Sequence, residues 1–377
     1  MKKINIVVPG WPSEESPGRM AFFYEQVKNL SIFDPTLTIT VYILERRLIV
    51  DPFRKYNYLD LDLNIEVIVF PYYEFPKIRS INRFLNEIAS RKFKKIIQKN
   101  DIGYKNKVIH AHFIDSLMMI SNISLDYNII WTEHASNFEL YIKKHKFKRV
   151  QKEVKKVKQC IFVSEPLKQF VTERLLIEDI NTVVIPNGVD TEVLNYKENH
   201  FKPRNFLFIG HLNYRKGIMN AIKGFKSAKL NDSTLTIYGS GELELEAKAF
   251  VNSTGLKRRV SFKGQLDNTT LRNTIYNYDC LILPSESESF GVVVIEAMAS
   301  GLATIVTKCG GPEYILNNDA SLGVVLENNS AENIAKSIDY VSGKSFDPNY
   351  IRNYAANQYS WVSVINKISE VYSVNTQ

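Results

Sequence analysis

The chain runs to 377 residues, with 45% apolar and 23% charged side chains; this is the balance of an ordinary soluble globular protein, long enough for two domains of roughly 150–200 residues. Its three cysteines, Cys160, Cys280 and Cys309, have neither pairing nor metal-ligand spacing, which argues against a disulfide or zinc framework and for a reduced, intracellular protein. The net charge of +8 is uneven: residues 1–195 hold 29 Lys and Arg against 23 Asp and Glu, and residues 196–377 hold 19 against 17.

In chain order, MKKINIVVPGW has a basic start but too few apolar residues for a secretory segment, and reads as a buried first strand. No apolar run approaches the roughly 18–20 residues that cross a bilayer, so a cytoplasmic location is expected. KINIVV, LTITVYIL, IEVIVF, KVIHAH, NIIWT, QCIFVS and TVVIP read as strands, with helical patterns such as MAFFYEQVKNL and INRFLNEIASRKFKKIIQ between them. The stretch from Tyr141 to Gln159 holds nine Lys and Arg and a single acid, Glu153. It reads as one basic helix over 141–158, either a solvated face or a peripheral contact for anionic membrane lipids. Nucleic acid is disfavoured, because interleaved aromatics and a recognition motif are missing.

The polar run NGVDTEVLNYKENHFKPRN marks a linker near 190–203. Beyond it NFLFIG, LTIYG, VSFKG, CLILP, ATIVT and LGVVL repeat the alternation of strand and helix. Near-continuous apolar strands mean parallel sheets covered on both faces, hence two doubly wound α/β domains, 1–195 and 200–355. Apolar residues at Trp361, Val364, Ile365, Ile368, Val371 and Tyr372 predict a last amphipathic helix, 361–377, with Ser360 as its cap.

Ligands of such sheets bind outside the carboxyl ends of the strands, and the unusual polar residues lie there. In FIGHLNYRKG, Arg215 and Lys216 oppose the dipole of the next helix unless an anion sits there. LTIYGSGELE offers Gly239 and Gly241 for close backbone approach, but Glu244 stands where a dinucleotide fingerprint needs its third glycine. In CLILPSESESFGVVVIEAMASG, Glu288 lies in the loop and Glu296 in a helix apolar on every side. A buried carboxylate is costly unless it accepts hydrogen bonds, so Glu296 should face a polar cleft. CGGPEYI then sets Gly310 and Gly311 before another helix, a second place for backbone N–H groups to face an anion.

These four motifs, in this order and spacing, resemble the nucleotide-binding half of the retaining GT-B glycosyltransferase family 4. TEHAS, VSEPLK and VIPNGVD resemble its first half more weakly, and WPSEESPGRMAFFYEQVKNL resembles a branch acting on cell-surface polysaccharides. The resemblance implies two Rossmann-like domains facing across a cleft, with the C-terminal helix crossing back to the first. It implies that Glu296 holds the ribose hydroxyls, and that Glu288 with the backbone of Phe290 and Gly291 contacts the donor sugar. Lys216 then binds the diphosphate, His134 serves the sugar and acceptor, and Gln265 and Leu266 lie near the base. Two departures stand out. His211 replaces the family's usual Arg, with Arg215 as the compensating candidate, and the first loop lacks the glycine pair, Gly18-Arg19 being nearest.

The implied reaction moves a sugar from a nucleotide diphosphate to an acceptor hydroxyl of a glycan or lipid-linked glycan, with retention. No Asp-x-Asp motif is present, so no metal and no other cofactor is expected. The rivals are a sugar-nucleotide epimerase of the same fold, a nicotinamide dehydrogenase, disfavoured by the missing fingerprint, and a non-catalytic nucleotide-sugar binder. His110 and His112 are expected to serve packing or the cleft wall.

Overall fold

The computed structural model describes residues 3–13, 20–48, 65–75, 78–104, 107–121, 123, 127–135, 138–177, 180–192, 194–196, 198–265, 270 and 273–374. The chain divides into two compact units, Met1–Pro186 with Val364–Gln377, and Asn187–Ser363.

In the first unit, β1 (Lys3–Val8), β2 (Thr38–Leu48), β3 (Ile65–Glu74), β4 (Lys107–His112), β5 (Tyr127–Glu133), β6 (Gln159–Phe162) and β7 (Thr182–Val184) form one parallel sheet, in the order β3-β2-β1-β4-β5-β6-β7. All six residues of KINIVV are buried, as a strand covered on both faces requires. The order reverses between β1 and β4, so a crevice opens beyond their carboxyl ends. Around the sheet lie α1 (Ala21–Phe33), α2 (Arg79–Asn100), α3 (Phe113–Met119), α4 (Phe138–His145), α5 (Phe147–Val154) and α6 (Glu165–Leu175).

The segment expected as one basic helix over 141–158 is two, α4 and α5. Lys146 between them takes a left-handed backbone, φ 68°, and a helix cannot run through that conformation. Several of its charges are also consumed locally: Lys144 pairs with Asp115 and Glu74, His145 with Asp115, and Lys156 with Glu153.

In the second unit, β8 (Asn205–Ile209), β9 (Thr234–Tyr238), β10 (Val260–Phe262), β11 (Cys280–Leu283), β12 (Ala303–Thr307) and β13 (Gly323–Leu326) form a parallel sheet ordered β10-β9-β8-β11-β12-β13. Its switch point falls between β8 and β11. The helices are α7 (Ile218–Ser227), α8 (Glu244–Ser253), α9 (Val292–Ala299), α10 (Pro312–Leu316), α11 (Ala331–Gly343) and α12 (Pro348–Tyr359).

The last helix, α13 (Trp361–Val374), begins in the second unit, where the Trp361 ring fills the space a Cβ on Gly188 would need. From Val364 it belongs to the first unit: Val364, Ile365, Ile368 and Tyr372 are buried, and the Tyr372 hydroxyl meets His110 Nδ1 at 2.7 Å. Among the described residues no helix is long and apolar enough to cross a membrane.

Candidate functional site

The second unit's switch point brings the loops after β8 and β11 together. Lys216, last but one before α7, hydrogen-bonds through Nζ to Glu288 Oε1. Arg215 Nη1 donates to the Ser287 carbonyl at 2.8 Å and lies 3.7 Å from the Glu288 carboxylate. Asn213 Oδ1 accepts from the Lys216 N–H at 2.9 Å, and Glu286 N–H donates to the Arg215 carbonyl at 2.8 Å. One carboxylate therefore holds two cations at the carboxyl edge of the sheet, with side-chain exposures of 12% for Glu288 and 17% for Lys216. The pair is screened from bulk water yet still open on one side.

The helix starts nearby lack a side-chain cap, as do those of α1, α2, α3, α5, α8 and α10. α6, α11 and α12 begin with Ser164, Ser330 and Asp347, whose side chains accept a first-turn N–H, the usual remedy for orphan donors. α7 and α9 begin instead at Gly217 and Gly291, both left-handed, with no side-chain cap. Their first-turn N–H groups lack an internal side-chain acceptor at the two helix starts that flank Lys216 and Glu288. That leaves a patch of positive potential suited to an anion.

The other glycines do a different job. A Cβ on Gly239 would lie 1.9 Å from the Gly210 carbonyl oxygen, and one on Gly241 would lie 2.4 Å from that of Leu212. These two glycines let the loop after β9 lie directly on the loop after β8. Gly310 and Gly311 likewise lie against the Glu288 strand end, where a Cβ on Gly311 would come within 2.2 Å of Phe290 Cα. The expectation that their N–H groups face an anion needs correction, because both are used internally. Gly311 N–H donates to the Glu288 carbonyl at 2.9 Å and Gly310 N–H to Glu313 Oε1 at 2.8 Å, while Cys309 N–H goes to Glu313 Oε2 at 3.0 Å. Glu313 thus takes the place expected for the ligand. Gly311→Ala should force the 290 loop away, costing roughly 1–3 kcal/mol by urea unfolding and loosening Glu288. A variant as stable as the parent would show that the close approach is dispensable.

Of the remaining predicted residues, Glu296 is half-buried on α9. Phe290 is a core side chain, its ring 5.7 Å from that of Tyr359. His211 is largely exposed, with Nδ1 3.8 Å from Glu242. Gln265 Nε2 donates to Ser240 Oγ at 2.9 Å, which ties the loop after β10 to the Gly239–Gly241 turn. Gly18 and Leu266 lie outside the described residues.

The first unit's polar centre is at the ends of β4 and β5. Glu133 is fully buried and accepts from the N–H groups of His134 (2.9 Å), Ala135 (2.8 Å) and Ile114 (3.1 Å). The last bond holds the turn at Phe113, a non-glycine residue at φ 63°, a conformation that costs on the order of 1–3 kcal/mol and persists only when its surroundings impose it. His134 Nε2 meets His112 Nδ1 at 3.0 Å, so one nitrogen donates and the other accepts. The His134 ring is packed by Phe22, Phe23 and Phe113. His110, inside the sheet, bonds Thr132 Oγ1 at 2.6 Å as well as Tyr372. Burial pushes His110 and His134 down to about 3 and His112 well below its ordinary value, with neighbouring imidazoles adding to it for His112 and His134. All three are neutral at physiological pH. Burial pushes Glu133 the other way, up to about 8, against the pull of its three N–H bonds.

Sequence reasoning named His134 but not its organiser Glu133, nor Asn213 or Glu313. Each sits inside a quoted motif, TEHAS, FIGHLNYRKG or CGGPEYI, and the signal was a carboxylate or amide next to a turn that leaves backbone N–H groups unpaired.

Two family models match this chain: Glycosyl transferases group 1 over residues 191–358 and Glycosyltransferase Family 4 over residues 40–193. Between them the two models cover residues 40–358, one model to each half of the chain. The chain is 27% identical, over 57% of its length, to an uncharacterized glycosyltransferase of Methanocaldococcus jannaschii, and covers 60% of that protein. Across several curated relatives the match spans between 47% and 62% of the relative's own length. Its fold is that of solved GT-B structures. It superposes on a sucrose-phosphate synthase from Thermosynechococcus elongatus with a TM-score of 0.77 at 16% identity, covering 99% of each chain. It superposes on Anabaena HepE, solved with UDP, with a TM-score of 0.72 at 15% identity, covering 99% of this chain and 100% of that one.

Proposed function

We propose that the chain transfers a sugar from a nucleotide-diphosphate donor to an acceptor hydroxyl with retention of anomeric configuration, in the assembly of a cell-surface polysaccharide. The observation that carries this reading is the pairing of Lys216 and Arg215 with Glu288 between two uncapped helix starts. The bond from the anomeric carbon to the diphosphate oxygen breaks, and the acceptor oxygen joins that carbon on the same face. The acceptor's proton passes to the departing phosphate oxygen. Negative charge develops on the diphosphate, where Lys216, Arg215 and the first-turn N–H groups of α7 and α9 stabilise it. These groups supply what a metal ion otherwise would, so the reading includes metal independence.

Glu296 is assigned to the two ribose hydroxyls, since a carboxylate can accept from a vicinal diol with both oxygens. Glu288 is assigned to the donor sugar. Neutral His134 is assigned to the sugar and acceptor, donating or accepting a hydrogen bond without carrying charge. We place the protein in the cytoplasm, peripheral at the inner face of the plasma membrane, on the strength of its basic first half.

The test is a thermal-shift screen in EDTA against UDP, GDP, ADP, CMP and their sugars, repeated with Glu296→Ala. At least one nucleotide diphosphate should stabilise the parent, by about 2.7 kcal/mol at a hundredfold excess over Kd, and Glu296→Ala should abolish most of that shift. An undiminished shift in the variant would remove the ribose assignment, and loss of the parent's shift in EDTA would remove metal independence. Epimerised free donor formed without acceptor would favour the epimerase reading instead.

A further inference from the structure

Beyond the strand ends of the first unit lie two adjoining cavities. The first, about 380 Å³, is lined by the loop after β1 with Phe113, Tyr141 and others. The second, about 440 Å³, shares Tyr72, Asp115 and Lys144 with it and extends between α2, α3, α4 and α5. Five Lys and Arg side chains line the second against two carboxylates, Glu74 and Asp115. Those carboxylates are already spoken for, by Arg46, Lys144 and His145. Burial alone would push the Asp115 carboxyl up. The His145 bond and the Lys144 charge outweigh it and hold the group below its ordinary value, ionised and paired.

Arg83, Lys143, Lys146 and Arg149 are what remains, and none has a carboxylate within salt-bridge distance among the described residues. Arg83 comes from α2, Lys143 from α4, Lys146 from the junction between α4 and α5, and Arg149 from α5, and all four line one concavity. A solvated basic face needs no such convergence. The break at Lys146 separates α4 from α5, and Lys143 on α4 and Arg149 on α5 line the same cavity. The same cavity has an apolar floor and rim: Met118 and Met119 are buried beneath it, and Leu140 at its edge is 60% exposed.

We propose that this second cavity binds the phosphate or diphosphate of an amphiphilic acceptor, with Arg83, Lys143, Lys146 and Arg149 holding the phosphate and Met118, Met119 and Leu140 the first carbons of the chain. This rests on the transferase reading, in which the acceptor's hydroxyl would lie in the adjoining cavity, beside the strand ends. A pure anion site would have no use for an exposed leucine and two methionines. A pure lipid surface would not need a cavity of about 440 Å³ lined by four cations.

The experiment is calorimetric titration of the full chain with farnesyl diphosphate below its micelle concentration, with inorganic pyrophosphate, and with octyl glucoside as a neutral amphiphile. Farnesyl diphosphate should bind at least about tenfold more tightly than pyrophosphate, octyl glucoside should not bind measurably, and high salt should weaken the interaction. The double variant Lys143→Ala/Arg149→Ala should lose about tenfold or more, while Lys152→Ala, on the same helix but outside the cavity, should bind like the parent. UDP, GDP and ADP are titrated in parallel and should bind every variant equally, which shows that the variants fold. Equal affinity for pyrophosphate and farnesyl diphosphate would overturn the amphiphile. Flotation with phosphatidylserine vesicles without farnesyl diphosphate binding would show a membrane-facing surface in place of a site and overturn the proposal. Loss of nucleotide binding in the parent would instead strike the transferase reading, so the two failures are told apart.

Discussion

Lys216→Ala should lower kcat by about 10²–10³, the usual consequence of removing one preorganised group from a developing anion, with little change in thermal stability. The side chain sits where the loop after β8 turns into α7, its backbone N–H fixed by Asn213 and its ammonium by Glu288. The two contacts fix the charge in place, so under the proposed transfer no reorganisation is needed when the bond to the diphosphate breaks. A partly exposed ion pair contributes on the order of 1 kcal/mol to folding at most. The loss should therefore fall on kcat and not on the melting temperature. Lys216→Arg should recover only part of the rate, because the planar guanidinium meets Glu288 with different geometry from an ammonium. Lys216 and Glu288 touch, so the double variant Lys216→Ala/Glu288→Gln should lose less than the product of the single losses. Steady-state nucleotide release with acceptor present measures all three. Full activity in Lys216→Ala would end the assignment of Lys216 to the diphosphate.

The alternation of buried strand and amphipathic helix was enough to read two doubly wound sheets, because a parallel strand covered on both faces has little choice but to be apolar throughout. The meeting of Lys216 with Glu288 was legible for a related reason. Each follows a strand beside a switch point, and the strand order that creates the switch point follows from the chain's alternating pattern. What the pattern does not encode is backbone traffic among loops. Gly310 and Gly311 look like an anion cradle in sequence, yet their N–H groups go to the Glu288 carbonyl and Glu313. Only the three-dimensional crossing shows that a Cβ on Gly311 would strike Phe290. Charge runs mislead similarly: nine cations between 141 and 159 suggest one face, but the positive φ at Lys146 breaks the helix and divides them. His110 was rightly read as packing, inside the sheet between Thr132 and Tyr372. His112 is packed as well, buried against Phe23 and His110 and bonded to His134.

That histidine cluster should make the protein acid-labile well above the range where carboxylates titrate. In the native state His110 and His134 take up a proton only near pH 3, and burial holds His112 well below its ordinary value, whereas an unfolded chain takes up those protons near the ordinary 6.5. Their contribution is complete above pH 6.5 and is lost as pH falls from there toward 3, where the unfolded state binds more protons. Glu133 runs the other way. Its folded value of about 8 exceeds the ordinary 4.5, so the native state keeps a proton that the unfolded chain releases. Its contribution is complete below 4.5 and is lost as pH rises through 8. Between 4.5 and 6.5 the two trends oppose. Three histidines against one carboxyl leave a net uptake of about two protons on unfolding, on the order of 3 kcal/mol per pH unit. Above 6.5 only the shallower loss from Glu133 remains. Urea unfolding between pH 5 and 8 should therefore show a maximum near 6.5, steep on the acid side and shallow on the alkaline side. His112→Asn should remove about one proton from the acid slope, whatever it does to absolute stability, and Glu133→Gln should flatten the alkaline side. The slopes separate titration from packing: a substitution that merely leaves a hole lowers the whole curve without changing its gradient. A parent whose stability is level from pH 7 to 5 would show that the cluster admits protons, and with them water, in the folded state. His134 would then be a charged group at working pH and would have to be assigned a different part in the transfer.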